Sequence, residues 1–215
     1  MKIQWLGHSC FRLTESTGTT ILTDPYDKTV GEFMPKVTAD AVTLSHHHGD
    51  HDCLDNVEGK PLIIDERGGY EVDGVDILSM LTYHDDREGA LRGENLVFKY
   101  RLDGVDVCHL GDIGETCSPM LLEAIGSVDV LLVPVGGKYT ITAEEAKDFV
   151  EKIMPSIVVP MHYKTSDCNY DIAPVDDFTD LFDEENITYL EGDSIELDRT
   201  DFDGDFETKV FVFKR

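Results

Sequence analysis

The chain has no C-x-x-C pair, only five cysteines, and no apolar run long enough to cross a bilayer. Those cysteines, at positions 10, 53, 108, 117 and 168, are odd in number and scattered. That pattern excludes a disulfide framework or a cysteine-type zinc knuckle, and it is expected of a reducing, cytoplasmic compartment. The opening stretch MKIQWLGHSC carries one lysine and no apolar core, so neither a signal peptide nor a membrane anchor is expected. Basic residues are scarce as well: 18 Lys and Arg stand against 44 Asp and Glu, a formal charge of −26. Such a surface repels nucleic acid and anionic membranes, and no basic stripe offsets it. No repeat, linker or flavin-type glycine fingerprint interrupts the 215 residues. Their 41% apolar content suffices for one large core, so a single domain over 1–215 is expected.

What the chain does have, up to about residue 112, is short β-branched and aromatic segments bounded by Gly, Asp and Asn: KIQWL, SCFRL, TTILT, ADAVTL, PLIID, VDILSMLTY and NLVFKYRL. Asp-Gly pairs inside YEVDGVDI and YRLDGVDV predict two tight hairpins. Beyond Asp112 helices alternate with strands. Ser118-Pro119 opens a helix to about Ile125, and Thr142 with Glu145 forms a capping box for a helix ending before Pro155. The strands VDVLLVPV and SIVVPM follow these two helices, and a third helix lies near PVDDFTDLF. The tail DRTDFDGD has the outline of a calcium loop, but Arg199 and Val210 fill two ligand positions. A hairpin turn at Asp203-Gly204 is expected instead. The whole pattern predicts an α/β class, with sheets covered by helices.

Four of the buried strands run directly into a metal-competent side chain: AVTLS into His46, LSMLTY into His84, VDVCHLG into Asp112 and IVVPM into His162. Ligands of α/β sheets bind at the carboxyl ends of strands, so these distant groups can converge. The stretch LSHHHGDHD, residues 44–52, holds four of the eight histidines and two aspartates. Its pattern His46-x-His48-x-Asp50-His51 puts imidazoles and a carboxylate on one short loop. They would repel one another if protonated, and a cation relieves that. Imidazole with carboxylate and no thiolate suits zinc, iron or manganese. GHSCF lacks the last glycine of a G-x-S-x-G elbow, which argues against a serine hydrolase.

The order H-x-H-x-D-H, a later lone His, GD after a strand and a final His after another resembles the metallo-β-lactamase superfamily. IQWLGHSCFRL, TILTDP, CHLGD, PVGGKYTITAEEA and VVPMHYKT look like its branch of zinc-dependent hydrolases related to L-ascorbate-6-phosphate lactonases. That resemblance implies an αββα sandwich of two mixed β-sheets flanked by helices, with two divalent ions, zinc or manganese, at one edge. It places His46, His48 and His84 around the first ion, Asp50, His51 and His162 around the second, and Asp112 between them. His47 falls at a variable position. Spacing alone does not choose between His84 and His109; family order favours His84 and leaves His109 as a catalytic or outer group. Asp24, and with it His8, is expected to orient ligating imidazoles from behind.

The implied chemistry is hydrolysis of an ester, lactone or phosphoester of a small anionic metabolite by a hydroxide bridging the ions, with Asp50 orienting it. Lys138 and Lys164 are candidates for holding the anionic group, with Tyr163 beside them. Branch relatives imply a homo-oligomer, though no interface is read from the sequence. A nuclease or phosphodiesterase of the same fold, an iron redox protein and a non-catalytic metal binder are the other classes. His48 stands where the flavodiiron relatives carry Glu, which argues against the redox one.

Overall fold

The computed structural model describes residues 1–31, 34–204 and 207–214. In chain order the strands are β1 Lys2–Gly7, β2 Cys10–Thr14, β3 Thr20–Thr23, β4 Val37–Thr38, β5 Ala41–Thr43, β6 Val57–Glu58, β7 Leu62–Ile64 and β8 Gly68–Val72. They continue as β9 Val75–Tyr83, β10 Glu94–Leu102, β11 Val105–His109, β12 Val130–Pro134, β13 Ile157–Met161, β14 Ile187–Leu190, β15 Ser194–Glu196 and β16 Lys209–Phe213. Three α-helices, α1 Pro119–Ile125, α2 Ala143–Ile153 and α3 Asp176–Thr179, fall in the second half.

Two mixed sheets carry the molecule, one ordered β15-β1-β2-β3-β5-β7 and the other β14-β16-β13-β12-β11-β10-β9-β8; β4 and β6 form a small pair of their own. Period-two alternation decides which side chains meet between the large sheets. Ile3, Trp5, Phe11, Leu13, Ile21, Ala41 and Ile64 point one way and join one core with Val97, Val107, Leu131 and Val158 of the second sheet. Leu6, Cys10, Leu22 and Val42 point the other way, where Tyr26, Val30, Met34, Cys168 and Ile172 cover them from loops. Loops thus supply the outer layer of the smaller sheet. The helices are tied to the larger one, α2 burying Ala146, Phe149, Val150 and Ile153.

Local chemistry matches the elements. Asp73-Gly74 and Asp103-Gly104 take positive φ (45° and 95°; 50° and 76°), as two-residue hairpins of this hand require, and join β8 to β9 and β10 to β11. Ser118 Oγ accepts from the Leu121 amide at the start of α1, and Thr142 and Glu145 form the reciprocal capping box of α2. The Asp203-Gly204 hairpin does not form. Arg199–Phe202 is a 3-10 turn, β15 pairs with β1, and β16 pairs with β13 and β14, so these neighbours are never ladder partners. Cys10, Cys108, Cys117 and Cys168 are buried and Cys53 is partly so, and no disulfide joins them among the described residues. No helix among the described residues is long and apolar enough to cross a membrane.

Strand direction then places the site. β1, β3 and β5 run parallel within the first sheet, and β9, β11 and β13 run parallel within the second. Their carboxyl ends lead into His8, Asp24, His46, His84, Asp112 and His162.

Candidate metal centre

His8, Asp24 and His162 each follow a strand directly with φ of 51°, 38° and 53°. Side chains rarely adopt that backbone, and its concentration at one edge is the kind of strain found where side-chain direction matters. The turn turns each group back toward the gap between the sheets. Gly111 (φ 58°) is required for another reason: a Cβ there would lie 2.3 Å from Asn95 Oδ1 and 2.6 Å from Ser45 Cβ. That close approach lets the Asp112 amide reach Asn95 Oδ1 at 2.9 Å.

The acidic and imidazole groups face one another at distances that hydrogen bonds do not explain. Asp112 Oδ2 lies 3.2 Å from His51 Nε2, 3.2 Å from His162 Nε2, 3.4 Å from His84 Nε2 and 4.0 Å from His46 Nε2. Asp50 Oδ2 lies 3.6 Å from His51 Nε2. Ideal hydrogen bonds to nitrogen are about 2.9 Å, whereas donors bonded to one cation at about 2.0–2.1 Å in a tetrahedron sit about 3.3–3.4 Å apart. Ligand atoms of His46, His48 and His84 lie within 4.8 Å of one another, as do those of His46, His51 and Asp112, and of His8, Asp50, His51 and His162. His46 Nε2, His51 Nε2, His162 Nε2 and Asp112 Oδ1 are buried with no hydrogen-bond partner among the described residues. Buried polar atoms are rarely left so. This donor set fits divalent cations.

The groups behind fix the ring orientations. Asp24 accepts from the Ser45 amide (2.7 Å), from Ser45 Oγ (2.6 Å) and from His51 Nδ1 (2.9 Å). Because the one Ser45 hydroxyl proton goes to Asp24, its oxygen must accept from His46 Nδ1 at 2.9 Å. His46 Nε2 and His51 Nε2 are thereby left facing inward, lone pairs toward the cluster when neutral. Burial, with His51 nearby, depresses the pKa of His46 to about 3, so its ring is neutral. Burial pushes the Asp112 carboxyl up, but His162 and His51 outweigh it and hold it well below the ordinary range. In Asp50 burial is likewise outweighed, by His8 and His51, and its pKa is lowered. His51 behaves inversely: burial alone would lower it, yet Asp112 and Asp24 raise it well above 6.5. Three carboxylates thus converge on a site where positive charge is needed.

His84, rather than His109, is brought to His46 and His48. His109 accepts from the Gly111 amide at Nδ1 (3.0 Å), so Nε2 carries the proton and donates to the Ser9 carbonyl (2.9 Å). Both nitrogens of His109, expected as a catalytic or outer group, are bonded to backbone, and the ring is fully buried. His47 joins none of these groups and instead pairs with Asp52 (3.4 Å) and Asp65 (3.7 Å).

The residues expected to hold the substrate are engaged with other parts of the chain. Lys164 Nζ donates to the carbonyls of Cys168 (2.6 Å) and Tyr170 (2.7 Å), closing its own loop. Lys138 pairs with Asp171 at 2.8 Å, and buried Tyr163 stacks on Trp5 at 5.5 Å. None of the three lines the cleft of about 870 Å³ that opens beside His46 and His48. That cleft is walled by Leu81 and Leu96, by the carboxylates Asp65, Glu66 and Glu94, and by Arg67 and Arg92. Sequence reasoning passed over Ser45, Asn95, Arg67, Arg92 and Tyr170, whose ring lies 5.8 Å from that of His8. Only Ser45 carried a signal, its position next to the histidine run.

A family model described as a beta-lactamase superfamily domain matches residues 2–162. The chain is 37% identical over 188 residues to a UPF0173 protein of Pyrococcus furiosus, covering 77% of this chain and 84% of that one. It is 31% identical over 193 residues to a UPF0173 metal-dependent hydrolase of Thermococcus onnurineus, covering 77% and 85%. Among solved structures, a candidate Zn-dependent hydrolase of the metallo-beta-lactamase superfamily from Thermotoga maritima superimposes with a TM-score of 0.81 at 41% identity, covering 99% of each chain.

Proposed function

The chain belongs to the beta-lactamase superfamily, and on that premise we propose that it is a dinuclear metal-dependent hydrolase acting on an ester, lactone or phosphoester of a small anionic metabolite. The observation that carries this reading is the buried set of imidazole nitrogens and carboxylate oxygens spaced 3.2 to 4.0 Å apart without hydrogen bonds. His46, His48 and His84 would hold one ion, Asp50, His51 and His162 the other, and Asp112 would be shared. Two zinc or manganese ions, when bound, supply Lewis acidity that acidifies a water and polarises the oxygen of the group attacked.

The chain's own residues do the rest. Asp24 and Ser45 keep two imidazoles in register, so little reorganisation is needed during turnover. Asp50, the least buried of the three site carboxylates, would orient the attacking water. Leu81 and Leu96 keep bulk water from one wall of the cleft. Arg67 makes no hydrogen bond or ion pair among the described residues, and Arg92 spends one nitrogen on the Lys138 carbonyl at 3.0 Å. Their planar donor forks suit a carboxylate or phosphate on the substrate, the role expected of the lysines. Glu66 and Glu94, which line the same cleft, disfavour a polyanion such as RNA and favour a substrate of low total charge. A small lactone or phosphorylated metabolite, as the lactonase-like motifs suggest, meets that description.

Elemental analysis of extensively dialysed protein is the test, with His84→Ala and His109→Ala variants beside it. About two zinc or manganese ions per chain are expected, partly lost from His84→Ala and kept by His109→Ala. Hydrolysis of bis-p-nitrophenyl phosphate and a lactone panel should accompany loading. Little metal after reloading would end the hydrolase reading. Arg67→Ala is expected to raise KM for anionic substrates about tenfold with kcat retained, the mark of lost ground-state binding.

A further inference from the structure

His8 stands closer to the cluster than an orienting group should. Its Nε2 lies 3.4 Å from Asp50 Oδ2, its ring centroid lies 4.1 Å from that of His162, and its ligand atom lies within 4.8 Å of those of Asp50, His51 and His162. At 3.4 Å the pair makes a long hydrogen bond, and the distance also matches the edge of a coordination tetrahedron, close to the 3.2–3.4 Å that Asp112 Oδ2 shows toward His51, His84 and His162. The backbone enforces the placement. The β1–β2 register shifts between Trp5 and Gly7, φ turns positive at His8, and the His8 carbonyl accepts from Trp5 Nε1 (3.0 Å) and from the His162 amide (3.3 Å). That second bond ties His8 to His162 across the two sheets.

The two ion positions differ in enclosure. His8, His51 and His162 are 2%, 0% and 1% exposed. The other set includes exposed His48, and of the two sets only His46 and His48 line the 870 Å³ cleft. Resting on the dinuclear reading above, we propose that His8 is a direct protein donor to the second ion. With Asp112 shared, that position has five protein donors, three of them fully buried imidazoles, and retains its metal, while the three-histidine position, open to the cleft through His48, exchanges its own. The retained ion then serves as the fixed member of the pair, and the exchangeable one meets the substrate.

The test is a chelator challenge on the zinc-loaded full chain, with metal counted against time and repeated with cobalt(II) followed by its visible absorption. Parent protein should lose one ion rapidly and keep the other. His48→Ala should keep the same slow ion, and His8→Ala should keep none. Affinity for the retained equivalent should fall more than about 100-fold in His8→Ala, beyond the 10–100-fold typical when only an outer partner is removed. His8→Gln preserves a donor toward Asp50 but is a poor metal ligand, so it should behave like His8→Ala; retention restored by Gln would reduce His8 to a hydrogen-bonding partner and overturn the proposal. His8→Cys, which keeps a metal-binding atom, should restore retention and add a cobalt–thiolate absorption. Equal loss rates for both ions in the parent, or unchanged retention in His8→Ala, would also overturn it. Failure of the parent to bind any zinc would instead sink the dinuclear reading itself.

Discussion

Asp24 is buried behind the cluster, yet its two oxygens settle the direction of His46, through Ser45, and of His51. Asp24→Asn places an amide N–H₂ where donors point, so one of those bonds must break. Metal affinity measured by competition with a chromophoric chelator is expected to fall about 10–100-fold with the fold retained. His109→Ala should act in the opposite sense. It leaves the Gly111 amide unpaired in a core position, removes one of the two donors to the Ser9 carbonyl and opens a cavity, so urea unfolding should show a loss of about 2–4 kcal/mol while metal content stays at the parent value. The residues most legible in the sequence were the ones whose chemistry is local: a run of imidazoles and carboxylates on nine positions identifies itself. Asn95, Arg67 and Tyr170 were not legible, because what they touch is decided by strand register and by loops distant in sequence. Lys164 was misleading for the same reason, since its ammonium finds carbonyls four and six residues onward before it can reach the site.

At the scale of elements, caps and turns were the readable features because their geometry depends on neighbouring residues alone. Thr142→Ala removes the acceptor for the Glu145 amide at the start of α2 and should cost about 1 kcal/mol in thermal or denaturant unfolding. The Asp-Gly pair at 203–204 shows the limit of that logic: the same dipeptide that makes a hairpin at 103–104 does not make one where the flanking strands pair elsewhere. The loop layer over Leu22 and Val42 was equally hidden, since no periodicity marks a loop that packs. Asp103, in the β10–β11 turn, binds the Ser16 amide (2.8 Å) and the terminal amine of Met1 (3.0 Å) at the end of the sheets away from the metal centre. Burial would raise its carboxyl, but the Ser16 hydrogen bonds and the amine outweigh that and lower it. A lowered folded pKa gives stability that is present above the unfolded value of about 3.9 and is lost as pH falls through the folded one. The melting temperature should therefore drop more steeply below pH 4 in the parent than in Asp103→Asn, which has no such carboxylate to protonate.

For the whole molecule, metal and fold are linked quantities. Ions that bind only the folded chain add about 2.7 kcal/mol at a free concentration 100 times Kd. Saturation should then raise the melting temperature by roughly 5–11 °C for a chain of this length, and a chelator should reverse the gain. The same linkage has a consequence for biosynthesis. Metal-competent residues run from His8, just after β1, to His162, just after β13, and come from both sheets, so the full set exists only once the chain reaches His162. Contacts of such sequence separation form late in folding. A chain that ends before His162 lacks a donor of the second set, so metal retained at that position in a cell extract counts only copies synthesised past it.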